Sequence, residues 1–190
     1  LVNTRYISFV DPDDYVSEQF IEKLYNSLID NSADIAVCNF FTIKGKNIIE
    51  EKKIRDNNLN QEEALRLLVK DEIMSSYLWN KLFKRELFDE IRFPIGKLYE
   101  DEYVTYRVFD KAQKIYICTN AFYFYRYNEA SITHCKFSEK EFDRIIASVL
   151  KIESCNNNYP KLAHLAEKYL VYDAIMALSK MDIYKKSYDR

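Results

Sequence analysis

Apolar positions along this chain alternate between a spacing of two and a spacing near 3.6, which divides it into short strands and amphipathic helices. Residues 6–10 (YISFV) form an aromatic and β-branched run that ends in charge, the pattern of a buried strand. Ser17 follows as an N-cap, with Glu18 and Gln19 in a first turn where the helix dipole favours negative charge. Phe20, Ile21, Leu24, Tyr25, Leu28 and Ile29 then recur at helical spacing. Residues 34–41 (DIAVCNFF) predict a second strand, and the stretch IKGKNIIEEK after it a hairpin or exposed loop.

Asn60 with Glu63 three residues on has the form of a capping box and predicts a helix through about Val69. Residues 84–91 predict a short helix. Pro94 and Gly96 punctuate a turn over 93–97, and a helix runs from Glu100 to about Ala112. The stretches KIYIC and FYFYRY predict two strands. From Ser138 the pattern becomes that of long helices: one to about Ser154, a break at NNNYP, and another opening on Pro160, a favoured first-turn residue. Leu162, Leu165, Tyr169, Tyr172, Ile175 and Leu178 mark one stripe of that last helix. The expected organisation is an α/β layer over 1–135 followed by a helical extension over 136–190.

Composition narrows the function classes. Hydrophobic residues make up 48% of the 190, enough for a proper core. The 28 basic and 30 acidic residues nearly cancel without any basic block, which disfavours nucleic acid as a partner. No apolar run reaches the length of a membrane span. Cys38, Cys118, Cys135 and Cys155 are scattered without a CxxC pair, so the expectation is reduced thiols in a cytoplasmic setting. With only two glycines, Gly45 and Gly96, a glycine loop cannot cradle phosphates here, and a phosphorylated ligand would need its charge neutralised otherwise.

Three stretches carry candidate chemistry. In Asp11-Pro12-Asp13, residues two apart in an extended chain project to one side, so both carboxylates can converge on a hard cation such as Mg²⁺ or Mn²⁺. The alternative is that Asp11 and Asp14 are turn and cap residues at a strand-to-helix junction. Glu100, Asp101 and Glu102 cluster at a helix start, either as a charged first turn or as the seat of a general base. Trp79, the only Trp, is either a core residue or a stacking platform for a sugar ring. In FYFYRYNEASITH, Arg126 suits a phosphate oxygen or a surface ion pair, and His134 a metal or an exposed loop.

Taken in order, YISFVDPDDYV, WNKLFKRELF, IRFPIGKLYEDEYVTYRVF and YFYRYNEASIT resemble the family 2 glycosyltransferases of bacterial polysaccharide synthesis over residues 4–133. The resemblance implies the C-terminal part of a GT-A, Rossmann-like domain, a nucleotide-diphosphate sugar donor, and Mn²⁺ or Mg²⁺ as cofactor. Matched motif by motif, it makes Asp13 the main metal ligand and sets Asp11 nearer the donor's ribose or a metal-bound water. Asp101 becomes the base that deprotonates the acceptor hydroxyl. Trp79, Asn80, Lys81 and Glu100 fall where the donor-sugar and acceptor pocket is shaped, and Arg126 and His134 in a late loop at the diphosphate, where His134 could complete the metal shell.

The implied reaction is a metal-dependent, inverting transfer to a glycan or lipid-linked acceptor in cell-surface polysaccharide synthesis. Pro12 departs from the small residue the family usually carries there. The family's nucleotide-recognition half, which precedes the D-x-D strand, is not in the sequence, so the resemblance implies a fragment of a longer polypeptide. Peripheral association with the inner face of the membrane and a homodimer are both open, although 138–190 is not basic on one face. Two other classes stay in view: a non-catalytic interaction module, and a D-x-D phosphatase of the haloacid-dehalogenase type, whose motif Tyr15 fits poorly.

Overall fold

In the computed structural model, residues 3–51, 55–71, 73–128 and 137–188 are described. Strands β1 (Tyr6–Ser8), β2 (Tyr15–Val16), β3 (Ile35–Lys44), β4 (Asn47–Glu51), β5 (Asn57–Asn60), β6 (Lys81–Lys84) and β7 (Lys114–Arg126) form one mixed sheet. Its order is β1-β6-β3-β7-β2, with β4 on β3 and β5 on β7. The helices are α1 (Phe20–Asp30), α2 (Gln61–Lys70), α3 (Glu100–Lys111), α4 (Phe142–Asn158) and α5 (Pro160–Tyr188).

The central pair β3–β7 is parallel and runs in register from Ile35↔Ile115 to Cys38↔Cys118, after which β7 bulges so that Asn39 faces Ala121 and Phe40 faces Tyr123. KIYIC and FYFYRY are therefore one bent strand rather than two, because a bulge re-aims a strand without ending it. Side-chain alternation splits the core. Ile35, Val37, Phe83, Ile115 and Ile117 face α2 and α3, and Ala147, Leu162 and Ala166 from α4 and α5 join the same cluster. Ala36, Cys38, Leu82 and Tyr123 face Phe20, Leu24 and Leu28 of α1.

Several boundaries differ from the expected ones. β1 stops at Ser8 because its antiparallel partner β6 offers only Lys84, Phe83 and Leu82 as ladder residues. Ser17 Oγ accepts from the Gln19 N–H at 3.3 Å, a contact of the expected kind, but its own N–H donates to the Phe122 carbonyl at 2.8 Å and α1 opens only at Phe20, after Glu18 and Gln19. Over 84–91 the chain completes β6 and then makes one 3-10 turn, Arg85–Phe88. The capping box stands: Asn60 Oδ1 accepts from Glu63 N–H at 2.9 Å and Glu63 Oε2 from Asn60 N–H at 2.9 Å. Asn60 also ends β5, an unexpected strand of sequence NNLN.

On α5 the buried residues are Leu162, Ala163, Ala166, Asp173 and Ala177, while Tyr172, Ile175 and Leu178 of the expected stripe are exposed. Three of these buried residues are alanines, small side chains that let packed helices approach closely. Asp34 knits three strands together. Its Oδ1 lies 2.6 Å from Lys84 Nζ, and its Oδ2 accepts from the Gln113 and Lys114 N–H groups at 2.8 and 3.0 Å. These partners outweigh the partial burial that would raise it and hold its carboxyl below the ordinary value.

Candidate active site

A cleft of about 540 Å³ opens where the end of β1, the segment before β6, the start of α3 and the outer half of β7 meet. Asp11, Trp79, Glu100 and Asp101 line it, so four expected site residues from three separate stretches converge on one space. Phe9, Tyr77, Phe93, Tyr99 and Tyr125 supply most of the remaining wall.

The acidic turn is built by Tyr123. Asp14 N–H donates to the Asp11 carbonyl at 3.1 Å, closing a four-residue turn in which Pro12 takes the position its fixed φ suits. Asp11 N–H donates to the Tyr123 hydroxyl at 3.1 Å, and that hydroxyl donates to Asp14 Oδ2 at 2.7 Å. Asp14 Oδ1 accepts from the Arg126 N–H at 2.7 Å. Asp14 thus fastens the turn to β7, which leaves the Asp11 and Asp13 carboxylates to the solvent side. Desolvation, followed by the charges of Asp14, Asp13 and Glu100, pushes the Asp11 carboxyl above its ordinary value.

Such a patch of oxygen donors suits a hard divalent cation, and a cation would relieve the repulsion that raises Asp11. Among the described residues no group of three or more His, Cys, Asp and Glu side chains forms a metal shell unaided. An ion such as Mg²⁺, commonly held by one or two carboxylates plus substrate phosphates, does not require one.

The three carboxylates at the start of α3 occupy different environments. Glu100 is exposed on the cleft rim. Asp101 is half-buried in the cleft wall, where desolvation and then the charges of Glu102 and Glu100 push its carboxyl up to about 7. Glu102 points inward, and burial alone would raise it. Lys151 of α4, at 2.7 Å, and the Ser76 hydroxyl, at 2.8 Å, outweigh that burial and hold it below its ordinary value. Neighbouring groups driven apart in proton affinity mark acid and base roles in active sites. Tyr99 begins the helix in the left-handed region at φ 57, turning the chain so that its own ring and Glu100 and Asp101 all face the cleft.

Trp79 is both core and wall. It stacks on Tyr77, Tyr123 and Tyr125 at 4.9, 4.3 and 5.9 Å between ring centres, meets Phe40 edge-on at 4.8 Å, and still lines the cleft. Lys81 is displaced from the expected pocket role. It is fully buried behind the wall, and its ammonium donates to Ser75 O at 3.1 Å, to Asn80 Oδ1 at 2.8 Å and to Tyr77 O. Asn80 is buried too, donating to the Cys38 carbonyl at 2.7 Å. These two residues shape the 75–80 segment from behind.

Arg126 lies outside the cleft lining, its guanidinium 5.3 Å above the Tyr15 ring. His134 falls outside the described residues. Tyr77, Tyr99 and Tyr125 were not anticipated from sequence. Spacing offered a signal for two of them, since Tyr77 lies two residues before Trp79 and Tyr125 two after Tyr123. Phe9 and Phe93, packed at 5.8 Å, carried none, because tertiary folding alone brings them together.

Residues 1–92 match the family model described as Glycosyl transferase family 2. Glycosyltransferase GlyA of Streptococcus pneumoniae is 30% identical over 85% of this chain and 25% of its own length. GlyG of the same organism is 30% identical over 80% of this chain and 54% of its length. A poly(ribitol-phosphate) beta-glucosyltransferase of Bacillus spizizenii is 31% identical over 64% of this chain and 19% of its length. The chain therefore spans between a fifth and about half of these relatives. Staphylococcus aureus TarS 1–349, solved in complex with UDP-GlcNAc, superposes with a TM-score of 0.69 at 16% identity, over 94% of this chain and 50% of that one.

Proposed function

With residues 1–92 belonging to glycosyl transferase family 2 and the fold being GT-A, we propose that the protein is a metal-dependent, inverting glycosyltransferase of cell-surface glycan synthesis. Its donor is a nucleoside-diphosphate sugar and its acceptor a hydroxyl of a glycan or lipid-linked glycan. The observation that carries the reading is Asp101, a carboxylate half-buried in the cleft wall with a proton affinity near neutrality. A general base works best when its pKa lies near the operating pH.

In this mechanism Asp101 accepts the proton of the acceptor hydroxyl as that oxygen bonds to the anomeric carbon. The bond from that carbon to the diphosphate breaks on the opposite face, and the nucleoside diphosphate departs with the electron pair. Tyr77 and Tyr125, backed by the buried Trp79, supply an aromatic wall for the sugar and exclude water from it. Glu100 on the rim can accept hydrogen bonds from sugar hydroxyls. Asp13, with Asp11 beside it, would hold Mn²⁺ or Mg²⁺, whose charge would offset that of the leaving diphosphate. Asp14 is committed to Tyr123 and Arg126 and serves the turn.

A non-catalytic interaction module has one observation in its favour. Phe142, Ile146, Val149 and Leu150 of α4, with Val171, Tyr172 and Ile175 of α5, present exposed apolar side chains. The family match over residues 1–92 favours sugar transfer over the phosphatase alternative. The test is nucleotide release and glycan product formation by the intact protein against a panel of nucleotide sugars, with and without Mn²⁺. Metal-dependent transfer that disappears in Asp13→Ala and Asp101→Asn supports the reading. Failure to bind both metal and every nucleotide sugar would sink it.

A further inference from the structure

Behind the cleft, α3, α4 and the 75–80 segment enclose charged and hydroxyl side chains that the mechanism does not use. Lys151 Nζ and the Ser76 hydroxyl both donate to the same Glu102 carboxylate oxygen, at 2.7 and 2.8 Å. The two ionic partners are only 13% and 18% exposed, so this pair is screened far less than one on the surface. Thr105 Oγ1 donates to the Ser76 carbonyl at 2.5 Å, tying the segment that carries Tyr77 and Trp79 to the same helix. Glu102 in turn holds its neighbour, since its own N–H, shared with the Tyr99 carbonyl at 3.0 Å, donates to Asp101 Oδ1 at 2.9 Å. One residue thus joins α4 to the Asp101 carboxylate, with its side chain anchored at the back and its peptide N–H at the front.

We propose that Lys151, which touches no part of the cleft, is a positioning residue of the site. By anchoring Glu102 it holds the start of α3 against α4 and preserves a negative charge beside the Asp101 carboxylate. The inference rests on reading Asp101 as the base.

The groups around both carboxylates set the direction of the effect. Asp101 meets Glu100 and Glu102 on its own helix and Lys81 from β6, with Tyr77 and Tyr99 nearby. Glu102 faces Lys151 and Arg144 from α4 and Ser76 from the wall segment. Beyond them Asp173 of α5 lies 2.8 Å from Arg144 Nε and accepts from the Ser148 hydroxyl at 2.5 Å. Without Lys151, Glu102 becomes a buried carboxylate short of its main counter-charge, and such a group takes up a proton. Its repulsion of Asp101 then vanishes, and the Asp101 midpoint falls toward the ordinary carboxylate range.

The test is a ¹³C-carboxyl NMR titration of Asp101 beside the pH profile of kcat/KM. In the wild type the midpoint is expected at about 7. In Glu102→Gln and in Lys151→Met it should fall by about one unit, with Lys151→Arg close to wild type. The double variant Lys151→Met/Glu102→Gln should shift no further than either single one, because both act through one charge. The acidic limb of kcat/KM should move with the midpoint, a shift that mere loosening of the fold would not produce.

If Lys151→Met fails to fold, Glu102→Gln and the double variant still decide the matter, since neither leaves Glu102 ionised and unpaired. An unmoved Asp101 midpoint in folded Lys151→Met or in folded Glu102→Gln overturns the proposal. A midpoint that moves in a protein inactive toward every donor refutes the reading of Asp101 as the base and leaves the coupling established.

Discussion

At positions 100–102 three adjacent carboxylates meet three environments: rim, cleft wall and interior. The middle one has a direct consequence for stability. Asp101 binds its proton more tightly in the folded chain, at about 7, than its ordinary value of 3.8, which the unfolded chain would show. Between those values the folded state holds a proton that the unfolded state has lost, so stability falls as pH rises through that window and levels off above it. Below the ordinary value both states are protonated and the effect vanishes. Asp101→Asn is therefore expected to raise the melting temperature over wild type at pH 8 and to change it little at pH 3.5, while reducing turnover by roughly 100-fold or more. Calorimetry at both pH values, paired with the transfer assay, checks this. Tyr123→Phe is a second test, because its hydroxyl joins Asp11 N–H to Asp14. Losing that link should cost about 1–2 kcal/mol in denaturant unfolding and weaken Mn²⁺ affinity by titration calorimetry, with Asp13 itself untouched.

Elements differ in how far their own residues determine them. The start of α2 is local: Asn60 and Glu63 satisfy each other's backbone donors. Asn60→Ala is therefore expected to lower stability by about 1 kcal/mol in urea unfolding without altering nucleotide-sugar binding. α3 was readable for the same reason, from acidic residues in its first turn to Lys111 in its last. β5, with the sequence NNLN, was not, because it is a strand only through its pairing with β7 from Asn57↔Ile117 to Asn60↔Lys114. Likewise β1 is cut short by the length of β6, and β7 is one strand through a bulge that no alternation announces. On α5 the apolar spacing runs beyond the burial, since Leu162 is buried with Ala163, Ala166 and Ala177 whereas Tyr172, Ile175 and Leu178 stay exposed.

For the molecule as a whole, the sheet carries the cleft at one end of its strands and two core clusters on its faces, and α4 packs on α3 from behind. Of the residues that line the cleft, Asp11, Trp79, Glu100 and Asp101 were legible because each lies in a short motif of consecutive residues, whereas Asp13 of the same motif is not in the lining. Sequence reasoning put Lys81 in the pocket because motif order says which segment forms a wall, whereas only packing says which side of that wall a side chain takes. The Lys151–Glu102 link was beyond its reach for the same reason, as 49 positions separate two residues that meet only in the folded core.

The claim that ties these scales together is that Asp101 acts as a base in the cleft, and the pH dependence of kcat/KM for sugar transfer by the intact protein tests it most directly. Activity is expected to rise through an apparent pKa of about 7 and level off above it, with that limb absent from the residual activity of Asp101→Asn. A profile flat from pH 5 to 8, or an Asp101→Asn variant that keeps both the wild-type rate and the wild-type limb, would contradict it.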